Sequence, residues 1–141
     1  MATKADFTSD EWHSLHTGVT GTGMLVSMSD RDLSDSFGES NAMAKYLAGQ
    51  VTAGATQLVR EIAAVHGTGF GFTASPEKIR AETMDALTSS IATLSAKASD
   101  EVDAYRALVL GIAQAVAEAK GGVTPIETSM IEEIRRTVGA G

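Results

Sequence analysis

The chain has 141 residues, 43% of them hydrophobic and 21% charged, which is enough for one buried core and ordinary for a globular protein. A net charge of −7 argues against nucleic acid or anionic membranes as partners, and the lack of cysteine excludes a disulfide framework, a thiol nucleophile and a thiolate metal site. The N-terminal MATKADF has no signal-peptide apolar run, and the longest nearly apolar stretch, residues 107–117, is well short of the roughly 18 residues a membrane span needs. A cytoplasmic location is therefore expected.

Residues 1–6 are expected to form a loose tail. Thr8 and Glu11 have capping-box spacing, with Phe7 just ahead of the cap. Trp12, Leu15, Val19 and Val26 then follow one stripe, with Thr22 on the same line, and predict a first helix. Gly18, Gly21 and Gly23 interrupt it. Each costs about 1 kcal/mol relative to Ala in a helix. Close approach of a neighbouring helix explains them better than a broken or ligand-lined helix.

Residues 29–39, SDRDLSDSFGE, are acidic and turn-like. A second helix is predicted over 37–51, with Phe37, Ala44, Leu47 and Val51 inward, Tyr46 near the edge, and a break or kink within 49–54. Leu58, Ile62 and Val65 resume the pattern up to His66. A glycine-rich loop with Phe70 and Phe72 follows. Ser75-Pro76-Glu77 opens the next helix, with Met84, Leu87, Ile91, Leu94 and Ala98 on its stripe.

Residues 99–139 carry the clearest signals. Ser99 is the predicted N-cap, with Asp100 and Glu101 on the first turn. Val102, Tyr105, Val109, Ile112 and Val116 line one face, widened by Leu108 and Ala115, and Gly121-Gly122 stop the helix. Thr124-Pro125-Ile126-Glu127 starts the last one. Its stripe is Ile126, Met130, Ile134 and Val138, with Ile131 beside it. Glu132 and Arg136 are spaced for an ion pair, and Gly139 ends the helix. The whole predicts an all-α, single-domain bundle of five to six helices with a C-terminal antiparallel helical hairpin and no strand.

Chemistry has three weak candidates. Asp30, Asp32 and Asp35, with Ser34, Glu39 and Asn41, place oxygen ligands as calcium loops do, but the required glycine and closing glutamate are missing. The missing glycine and glutamate make a solvated, helix-capping turn the better reading. His13 and His16, three apart on a helix with Glu11 nearby, can share a face toward a metal, although two histidines leave the ligand set incomplete. His16 is otherwise a hydrogen-bonded histidine at the core edge. The glycines of residues 67–71 precede a helix start and can meet an anion, but the Lys-Ser/Thr pair of a P-loop is absent. No G-x-S-x-G context exists, and the carboxylates fall mostly at helix starts. No enzyme and no cofactor are expected.

FTSDEW at residues 7–12, the acidic break, and A-x-A-x-A-K-G-G-V-T-P-I-E-T at 115–128 resemble small all-helical bacterial families of unknown function. The last part is also similar to the closing half of tellurite-resistance TerB-like domains. That resemblance implies an all-helical fold and, in that family, acidic residues tied to metal binding. Lys120-Gly121-Gly122 stands where those domains have an Asp-Gly turn, so no binding residue is carried over. The expected function is a non-enzymatic helical bundle acting through protein contacts, as a homodimer or a stress-associated accessory protein. Met24 and Met28, beside the Trp12 stripe, are candidates for a second interface. The alternative is a small-ligand or metal binder.

Overall fold

The computed structural model describes residues 2–29, 36–65, 75–119 and 125–139, the side chains of 28–29 and 36–41 excepted. Within them the protein is all-helical. The α-helices are α1 (Ser9–Ser29), α2 (Ser36–Ala53), α3 (Gln57–Ala63), α4 (Pro76–Lys97), α5 (Val102–Glu118) and α6 (Pro125–Thr137). Short 3-10 turns, Lys4–Asp6 and Ser99–Glu101, precede α1 and α5. No strand occurs among the described residues.

The helices α2, α4, α5 and α6 gather around α1. Residues 15–23 are all buried, Leu25 and Val26 follow, and the helix packs against α2, α4, α5 and α6. A helix covered on every side has no solvated face on which to place charge. Accordingly, residues 12–29 contain no Asp, Glu, Lys or Arg. Its buried threonines turn their hydroxyls back onto the helix: Thr20 donates to the His16 carbonyl at 3.1 Å and Thr22 to that of Gly18 at 2.7 Å. The start is fixed by the predicted capping box. The Thr8 N–H donates to Glu11 Oε1 at 2.8 Å, and the Glu11 N–H to Thr8 Oγ1 at 3.2 Å.

The three glycines of α1 mark close helix contacts. A β-carbon on Gly18 would stand 2.5 Å from the Tyr105 hydroxyl and 3.0 Å from Leu87 Cδ2. On Gly21 it would meet Thr83, and on Gly23 it would meet Met43 and Ile112. The contacts also set directions. Glu11 meets Lys97, Gly18 meets Leu87 and Gly21 meets Thr83, so α1 and α4 run antiparallel. Leu15 meets Tyr105 and Gly23 meets Ile112, so α1 and α5 run parallel.

Several local expectations are corrected. Of residues 2–6, expected as a loose tail, Lys4, Ala5 and Asp6 are exposed, while Ala2 is 6% exposed, the Lys4 N–H donates to Glu61 Oε2 at 3.2 Å, and Lys4 Nζ lies 5.5 Å from the centre of the Trp12 ring. In α2 the inward residues are Met43, Tyr46 and Leu47, while Ala44 and Val51 are exposed. The larger side chains turn in because they have places to go: Met43 fills the space over Gly23, and the Tyr46 ring fills that over Gly111. The predicted break falls after Ala53, and α2 runs through Gly49 without interruption. Val65 lies beyond the end of α3 and is half-buried.

In the C-terminal part, Ser99 enters a 3-10 turn instead of capping α5. Ile126 is 57% exposed, so the stripe of α6 comprises Ile131, Ile134 and Val138 with Met130 half-buried. Glu132 pairs with Arg135 at 3.6 Å instead of Arg136, on a surface where such a pair contributes little. Gly139, at φ +77°, ends the helix as expected. Ser75 caps α4, accepting from the Lys78 N–H at 3.2 Å with Pro76 at the first helical position. None of the described helices is long and apolar enough to cross a membrane.

Candidate functional site

His13 and His16 do not share one face of α1. Residues three apart on a helix are offset by about 60° around its axis, and here that offset separates solvent from core. His13 is exposed, with its Nε2 3.4 Å from the Thr17 hydroxyl, whereas His16 is 6% exposed. Glu11 is held by the Thr8 N–H and by Lys97 Nζ at 2.6 Å. Its carboxyl is held below the usual range, first by the Lys97 hydrogen bond and then by that from Thr8. Among the described residues no three His, Asp or Glu side chains are grouped to hold a metal ion. Asp30, Asp32 and Asp35, the glycine-rich loop, and residues 120–124 of the TerB-like stretch lie outside the described residues.

The seam between α1, α4 and α5 is polar but tightly filled. The Tyr105 hydroxyl donates to the Leu15 carbonyl at 2.7 Å, and burial pushes its pKa well above the ordinary value. The Ser90 hydroxyl is close enough to favour the phenolate slightly, but makes no hydrogen bond of good geometry. The Thr83 hydroxyl is also buried without a partner, pressed against Gly21. These groups pack helices together and leave no space between Gly21 and Thr83 for a substrate atom.

The surface offers a different feature. Ala44, Leu47, Ala48 and Val51 recur at the spacing of one helical face on the outer side of α2. Ala44, Ala48 and Val51 are exposed, Val51 at 39%, and Leu47 is half-buried at the edge. A β-carbon on Gly49 would touch nothing within 4 Å. Lys45 is the one charged residue among positions 42–53. The sequence carries two offset stripes on α2, 43/46/47/50 and 44/47/48/51, both of acceptable apolarity. The small residues at positions 23 and 111 of the partner helices were the signal that decides which one turns in.

No protein-family model matches the chain, and neither a characterised protein nor a solved structure is detectably similar to it.

Proposed function

We propose that this protein is a non-enzymatic, single-domain helical bundle that acts through protein contacts, with a second copy of itself as the partner seated on α2. The observation that carries this reading is the exposed apolar face of Ala44, Ala48 and Val51, edged by the half-buried Leu47. Small side chains let two helices approach to about 8–10 Å. A nearly uncharged face also allows two chains of net charge −7 to meet without opposing like charges at the centre of contact. A two-fold contact of α2 with its symmetry mate buries the same stripe on both copies. The C-terminal pair α5 and α6 belongs to the bundle as an antiparallel hairpin, a reading supported by Arg106 Nε donating to the Val138 carbonyl at 2.6 Å. A cytoplasmic location is part of this reading.

The lack of native cysteine provides the test. Ala48→Cys puts a single thiol at the middle of the face, and Ser89→Cys puts one on the exposed side of α4. Mild oxidation is expected to give a covalent dimer of the first and not of the second. Equal, slow crosslinking of both would overturn the proposal. The alternative, a small-ligand or metal binder using Asp30, Asp32 and Asp35 or His13 and His16, is tested by calorimetry with calcium, zinc and nickel, and the absence of heat with all three would remove its metal version.

A further inference from the structure

We draw no further inference here: the strongest candidate, the Glu101 side chain buried at the N-cap of α5 with its Oε2 outside any hydrogen bond, carries nothing because a carboxylate at a helix N-terminus is already stabilised by the helix's own positive end and nothing else among the described residues there points to a ligand.

Discussion

Gly21 of α1 lies so close to Thr83 of α4 that a β-carbon on the glycine would stand 2.9 Å from the threonine Cβ. Both helices are regular there, and Thr83 is fully buried. The contact therefore has little freedom to relax, and the glycine is a packing requirement.

Gly21→Ala is expected to destabilise the protein. Overpacking a filled core costs about 1–3 kcal/mol, and the better helix propensity of alanine returns about 1 kcal/mol of that. Thr83→Ala removes the threonine Oγ1 and Cγ2 but keeps its Cβ, 2.9 Å from a β-carbon on residue 21, so the double variant should recover part but not all of the loss. Urea unfolding of the two single variants and the pair measures this coupling. Additive losses would mean that the two residues do not share the contact.

Thr83→Val tests the buried hydroxyl separately. The replacement keeps the branched shape and removes a polar group that has no partner. It should be neutral or stabilising by up to about 1 kcal/mol. A loss of stability of that size would show that the hydroxyl is hydrogen-bonded in solution.

Tyr105 connects packing to pH. Its folded pKa is raised, so the neutral phenol contributes stability that is complete below the unfolded value near 10 and is lost as pH rises toward the folded one. The protein should therefore weaken in alkali from about pH 10 upward. Tyr105→Phe should cost about 1 kcal/mol at neutral pH through loss of the bond to Leu15 and should flatten the alkaline slope. Tyr46, half-buried and raised more modestly by burial, leaves a residual slope. Urea midpoints across the alkaline range give both quantities.

Glu11 acts at the other end of the scale. Its folded pKa is depressed, so its contribution is present above the unfolded carboxylate range and is lost as pH falls through the folded value. Glu11→Gln should reduce the steepness of acid unfolding, and Lys97→Ala should do so to a similar extent. Thr8→Ala, which removes the cap acceptor, should cost about 1 kcal/mol with little change in pH slope. The urea midpoint followed downward from neutral pH distinguishes these effects.

Helix positions were legible in the sequence wherever capping and spacing agreed, as at Thr8 with Glu11, at Ser75-Pro76, and at Gly139. The glycines of α1 announced close packing, but their partners Thr83, Tyr105 and Met43 are non-local and leave no trace in local spacing. Misplaced faces have one cause. On α2 and at Ile126, the apolar spacing predicts an inward face, although the direction of a stripe is set by what the neighbouring helices present. The same limit applied to His13 and His16, whose spacing fits a shared face but whose helix is covered by α4 and α5 on one side. The central place of α1 was written in its uncharged run from Trp12 to Ser29, within which residues 15–23 are all buried.

Sedimentation velocity on the untagged protein and on Val51→Glu tests whether α2 is the contact face. Wild-type protein is expected to sediment as a dimer at micromolar concentration. The variant, with a charge on an already exposed position of α2, should sediment as a monomer with unchanged helical circular dichroism. A wild-type protein that remains monomeric into the tens of micromolar, or a variant that dimerises as well as the parent, would contradict the assignment of α2 as the contact face.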